Sequence, residues 1–172
     1  MRIYIVGGLP EPVGGVTNFL YRFSSRYKDQ LGRVLDLYPA ENKWSVAGLD
    51  CIVRPNSKFL SIFWMAYQMF RCDSGIVYFN FSSPRSLLLL LLLPKLKGVS
   101  WALTLHHGEL AESVKEAPVL FQKLSNIALK RVDRIGFISE KQYAFYKDSS
   151  VNDGRLYNIS TYLPYVDDSP AT

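Results

Sequence analysis

The sequence is poor in the residues that most often announce a chemistry. It holds two histidines and two cysteines among 172 residues. Cys51 and Cys72 have no metal-ligand spacing and are too few for a disulfide framework, so reduced thiols in a cytoplasmic protein are expected. No apolar run reaches the roughly 18 residues of a membrane span. The run Ile3 to Val6 is too short for a secretion signal, and glycines follow it at once. No G-x-G-x-x-G follows the first strand, which speaks against a nicotinamide or flavin site, and the absence of G-x-x-x-x-G-K-[ST] excludes a P-loop. The absence of G-x-S-x-G argues against an α/β-hydrolase. There is no internal repeat, and the one low-complexity stretch is the leucine run Leu87 to Leu93.

What is present reads as a globular chain, 48% hydrophobic and 20% charged, long enough to bury a proper core. A net charge of +5 leans weakly toward an anionic partner, such as a phosphorylated lipid, a membrane face or a nucleotide. The basic residues are dispersed rather than striped, so nucleic acid is not expected.

Strands and helices alternate from end to end. Met1 to Val6 reads as a buried strand, followed by a glycine-bearing turn (residues 7–15) and a helix over Val16 to Gln30. Gly32 is the expected C-cap of that helix, and Arg33 to Tyr38 the second strand. A short third strand falls in Leu49 to Val53. In the helix Ser57 to Arg71, the residues Phe59, Leu60, Phe63, Ala66, Tyr67 and Phe70 recur at helical spacing, which predicts packing on a sheet. Gly75 to Phe81 is near-continuously apolar, like a central parallel strand. The leucine helix begins at Ser82-Ser83-Pro84 and reads as buried, with a bilayer surface as the alternative. Val99 to Leu105 is a strand, Pro118 to Arg131 a helix with Leu120, Leu124, Ile127 and Ala128 inward, and Arg134 to Ile138 a strand. A short helix over Lys141 to Lys147, a last strand over Leu156 to Leu163 and a polar tail complete the chain. The pattern predicts an α/β fold: a Rossmann-like, mostly parallel sheet with helices on both faces.

Ligands of such sheets bind beyond the carboxyl ends of the strands. Four stretches meet that condition: the turn at residues 7–15, Ser82-Ser83-Pro84, His106 to Glu109, and Ser139-Glu140. Gly14 and Gly15 would let a phosphate or sugar approach the first amides of a helix, or would only permit a sharp turn. His106 and His107 are hydrogen-bonding or basic groups at a strand end, and adjacent side chains diverge, so at most one faces the cleft. Metal would need a third ligand and only Glu109 is near, so none is expected. Ser82, Glu109, Ser139 and Glu140 are further candidates for substrate binding, although Ser139-Glu140 also reads as a helix start.

In combination these stretches resemble the N-terminal half of bacterial family 4 glycosyltransferases. The resemblance lies in Met1-Arg2-Ile3-Tyr4-Ile5-Val6 with the Gly-Gly-Val ending at Val16, in Thr104-Leu105-His106-His107-Gly108, in Arg131 through Glu140, and in Tyr162-Leu163-Pro164. It implies one half of a GT-B enzyme, with residues 1–165 an acceptor-side domain and 166–172 a tail leading toward a donor domain. It also implies metal-independent sugar transfer from a nucleotide sugar, without a cofactor, to a saccharide or lipid-linked acceptor in surface polysaccharide assembly. The location implied is cytoplasmic, with peripheral contact at the inner face of the membrane. Carried over by position, Gly14 and Gly15 would approach the donor phosphates, and His106 or His107 would be the catalytic cleft histidine. The doubled histidine departs from the family pattern and leaves open which of the two acts. The alternatives are a non-catalytic Rossmann-like module for an anionic partner and a small flavodoxin-like enzyme.

Overall fold

The computed structural model describes residues 1–39, 44–107, 110–147, 151 and 154–159. Seven strands, β1 (Arg2–Gly7), β2 (Leu31–Asp36), β3 (Cys51–Val53), β4 (Gly75–Phe81), β5 (Val99–Leu105), β6 (Arg134–Phe137) and β7 (Leu156–Asn158), form one sheet. Its order is β3-β2-β1-β4-β5-β6-β7. All six pairings are parallel, with Ile5 beside Val34 and Tyr78, and Thr104 beside Asn80 and Gly136. The helices are α1 (Gly15–Arg26), α2 (Lys58–Phe70), α3 (Leu89–Leu92), α4 (Leu110–Lys115), α5 (Val119–Lys130) and α6 (Glu140–Lys147). The expected Rossmann-like architecture is thus the observed one.

Strand alternation assigns the two faces. Val6, Leu35, Phe79, Phe81, Trp101 and Leu103 point into the larger core, with Met65 and Met69 of α2, Leu90 of α3, and Ala128 and Leu129 of α5. Ile5 and Val34 point the other way, onto Phe19 and Leu20 of α1. The leucine run packs mainly inward, as expected, with Leu92 alone of the seven exposed. It opens as a 3₁₀ turn over Pro84–Leu88, and Leu87, Leu90 and Leu93 are buried.

Local readings differ from the structure where side-chain pattern alone was ambiguous. Gly32 does not cap α1: the helix ends at Arg26, a 3₁₀ turn covers Lys28–Gln30, and Gly32 lies inside β2. A Cβ there would stand 2.8 Å from the Tyr4 ring, so the glycine makes room across the sheet instead. The short helix α4 was missed. Of the last predicted strand only Leu156–Asn158 is formed within the described residues, and positions 160–172 lie outside them.

The face assignments of two helices are overturned in part: Ala66 of α2 and Ala128 of α5 meet the core as expected, but most of the larger apolar residues expected beside them do not. Phe59, Leu60, Phe63, Tyr67 and Phe70 of α2 do not pack on the sheet and are 56 to 69% exposed. The helix is apolar nearly all round, so periodicity could not choose its docking side. Hydrogen bonds did: buried Ser61 meets Arg54 (Nη1 to Oγ 2.9 Å), and buried Gln68 accepts from Arg33 (3.2 Å). In α5, Leu120 and Ile127 face outward while Ser125 and Ala128 are buried, because small side chains let the helix lie close to its neighbours.

Arg131 ties the leucine segment to the sheet. Its guanidinium donates to the carbonyls of Leu90 and Leu93 and lies 5.1 Å from the centroid of buried Trp101. Asp133 accepts from the Trp101 amide (2.7 Å) and pairs with Lys95 (2.8 Å). The Lys95–Asp133 pair is half-exposed and is worth about 1 kcal/mol or less. Removing Arg131 leaves two carbonyls without their donor, at about 2 kcal/mol or more. In urea unfolding, Arg131→Ala should therefore destabilise the chain clearly more than Lys95→Ala; equal losses would contradict this account.

Candidate functional site at the carboxyl rim of the sheet

The loops after β1, β2 and β4 are fastened to one another. Asp36 closes β2 with a carboxylate 1% exposed, whose Oδ1 accepts from the amides of Leu9 (3.2 Å) and Tyr38 (2.9 Å). Leu37 N donates to Gly7 O (2.8 Å). The Tyr38 ring packs over Gly8 so closely that a Cβ there would lie 2.0 Å from it. The Tyr38 hydroxyl stands 3.4 Å from Ser82 Oγ at the end of β4.

Between these loops, α2 and the leucine segment lies a cavity of about 600 Å³. Its polar lining includes Tyr38, Arg54, Asn80, Ser82 and Arg85, and its apolar wall includes Ile62, Met65 and Leu89. A neighbouring cavity of about 400 Å³ shares Ser83 and Arg85 with it.

Gly14 and Gly15 stand at the start of α1, and the next residue, Val16, lines the larger cavity. Gly14 is extended (φ −162°), and its amide donates to Thr17 Oγ1 (2.9 Å), which in turn donates to Pro12 O (2.9 Å). A Cβ on Gly15 would meet nothing within 4 Å. The packing of this chain therefore does not require glycine at 15.

His106 follows β5. Its amide donates to Phe81 O (2.9 Å), its ring lies 5.4 Å from that of Phe19 on α1, and Nε2 is 3.1 Å from Asn80 Oδ1. Asn80 Nδ2 donates to Tyr78 O (3.3 Å), so Oδ1 is left to accept. The network thus assigns the imidazole proton to Nε2 and leaves Nδ1 as an acceptor. Burial holds the His106 pKa down at about 4, so the ring is neutral near pH 7.

His107 is placed differently. Its carbonyl accepts from Gln142 of α6, and its Nδ1 is buried without a partner among the described residues. Ser139 O accepts from Tyr143 N (3.1 Å) and Glu140 is the first residue of α6, an arrangement that opens a helix. His107, Ser139 and Glu140 line neither cavity. Glu109 lies outside the described residues. Among the described residues no three His, Cys, Asp or Glu side chains are grouped to hold a metal ion. Of the named candidates, Ser82 lines the large cavity directly, while His106 adjoins it through Asn80 and Gly15 through Val16.

Asp36, Tyr38, Arg54, Asn80 and Arg85 were not singled out from sequence. Asp36 carried one signal, an acid inside the apolar run Val34-Leu35-Asp36-Leu37. The others gave none, because what matters in them is where the chain returns.

No family model matches the sequence, and no curated protein matches it. A solved structure does: the crystal structure of Anabaena HepE in complex with UDP matches with a TM-score of 0.61 over 95% of this chain, at 12% identity. The fold is one half of a GT-B architecture. The chain spans 44% of the length of HepE. At that identity the likeness carries the fold alone.

The depressed His106 pKa has a measurable consequence. The unfolded chain takes up the proton near 6.5, whereas the folded chain resists it until about 4. This group's contribution to stability is complete above 6.5 and is lost progressively as pH falls to about 4. Chemical denaturation of wild type and His106→Asn across that interval should show a steeper acid loss in wild type. Parallel curves would mean that the ring is not held neutral.

Proposed function

We propose that this chain is the acceptor-side half of a glycosyltransferase that moves a sugar from a nucleotide sugar to a saccharide acceptor. The observation that carries the reading is the convergence, at one rim of a GT-B-type sheet, of a roomy cavity with polar groups in its lining, a helix start with open space at Gly15, and a half-buried imidazole hydrogen-bonded to Asn80 of that lining. UDP in HepE supports a nucleotide-sugar donor for this chain as well. A neutral His106 suits hydrogen bonding to a sugar hydroxyl rather than ionic catalysis, with Asn80 fixing its tautomer. The helix start at Gly15, where a Cβ would meet nothing within 4 Å, is suited to the approach of the donor's phosphates. Electrostatic stabilisation of the leaving diphosphate would be the main catalytic term, and most of its groups would come from a second domain.

Sugar transfer assayed in the full gene product tests this. His106→Ala should lower kcat by about 100-fold. His107→Ala, at a position engaged with α6, should change it less than about threefold. Equal effects of the two substitutions would remove the assignment.

The acceptor of this reading is lipid-linked, and α2 supports peripheral contact with an anionic bilayer. Its outward face is Phe59, Leu60, Phe63, Tyr67 and Phe70, the helix contains no acid, and Arg71 lies 5.8 Å from the Tyr67 ring at its end. An apolar stripe flanked by cations is the pattern of a helix that lies in a membrane interface. No helix of the described residues is long and apolar enough to cross a membrane. In co-sedimentation with phosphatidylglycerol vesicles, Phe59→Ser/Phe63→Ser should cut binding at least tenfold. Undiminished binding would assign the contact elsewhere.

A further inference from the structure

We propose that the 600 Å³ cavity between the loops after β2 and β4 is an anion site, and that the group it takes is the phosphate or diphosphate on which an acceptor saccharide is carried. The attribution to the acceptor rests on the sugar-transfer reading; the anion site rests on the cavity itself.

Charge is the first argument. Arg54 and Arg85 both line the cavity, and among the described residues no Asp or Glu does. Neither guanidinium has a carboxylate partner among the described residues. A neutral sugar alone would leave the half-buried Arg54 cation uncompensated, whereas a phosphate answers two guanidinium groups at once.

Preorganisation is the second. Arg54 is held by neutral acceptors only: Nε donates to Leu37 O, and Nη1 to Ser61 Oγ (2.9 Å) and Pro55 O (3.4 Å). Ser61 Oγ is itself anchored on Ser57 O (2.7 Å), at the first turn of α2. The head group is therefore positioned by the junction between β3 and α2 while its full charge remains available. Little side-chain entropy is left to lose on binding. Arg85, by contrast, is exposed and stands where the two cavities meet, so it can close on a bound anion.

The third argument is the mixed composition of the lining. Ser82, Ser83 and Ser86 share the lining with the two arginines, hydroxyl residues that suit the several oxygens of a phosphate. Leu37, Ile62, Met65 and Leu89 also line it, an apolar surface for whatever the phosphate carries. Neither Gly14 nor Gly15 lines this space, although Val16 beside them does, so the helix start assigned to the donor borders the cavity without supplying its polar lining.

The test is a titration of inorganic diphosphate into the isotope-labelled 172-residue chain, followed by NMR at the Arg54 Nε–H and the Ser82 amide. Both signals should shift. Arg85→Gln should weaken the affinity at least tenfold, whereas Lys97→Gln, an exposed cation outside the cavity, should change it less than twofold. Excess UDP should leave the bound diphosphate in place. Unshifted signals, or equal losses in the two variants, would overturn the site. Displacement by UDP would give the site to the donor and overturn the acceptor assignment. Diphosphate bound here in a gene product that transfers no sugar would overturn the sugar-transfer reading and leave an anion site without an acceptor.

Discussion

Parallel pairing is the constraint from which the rest of this structure follows. Every strand of the sheet runs in the same direction as its neighbours, so each chain segment must cross back before the next strand begins. All the loops that leave strands therefore gather at one rim, and all the returning segments enter at the other. The polar residues that follow otherwise apolar strands, Asp36, Asn80, Ser82 and His106, become neighbours there although they are far apart in sequence. Positions inside strands are spent on burial, so the chemistry is pushed to the ends.

The order of the strands then sorts these groups. β1 sits between β2 and β4, and the direction of connection changes around it. The cavity opens there, bounded by the ends of three strands and by α2 and the leucine segment on one face. The alternation of side chains along β4 and β5 gives the other face a different content. Tyr78 and Thr104 share a hydrogen bond of 2.7 Å, and the Asn80–His106 pair continues that column to the rim against α1. The carboxyl rim of the sheet thus presents a cationic pocket on one side and a neutral, half-buried imidazole on the other.

Much of the segment Arg131 through Glu140, one of those that carry the family resemblance, holds the molecule together. Arg131 and Asp133 fasten the leucine segment, Trp101 and the start of β6, while Glu140 opens α6. The same is true of Gly8, whose lack of a side chain admits the Tyr38 ring and so shapes the cavity wall. Structural and functional demands fall on adjacent residues because the rim is also where loops must be locked to each other.

The sequence by itself determined the alternation of strands and helices, the parallel Rossmann-like sheet, the interior position of the leucines, and the presence of glycines and histidines at strand ends. Those are consequences of local periodicity and of residues that break it, and neither needs a partner to be read. The tertiary structure alone decided which face of α2 meets the sheet, since Ser61 and Gln68 were chosen by bonds to Arg54 and Arg33 over a richer aromatic stripe. It alone separated His106 from His107, turned Gly32 from a cap into a gap for Tyr4, and brought Arg54 and Arg85 to one cavity. The reason is common to all of these: periodicity reports how much apolar surface an element has, whereas hydrogen-bond satisfaction and close contact between distant segments settle where each surface goes.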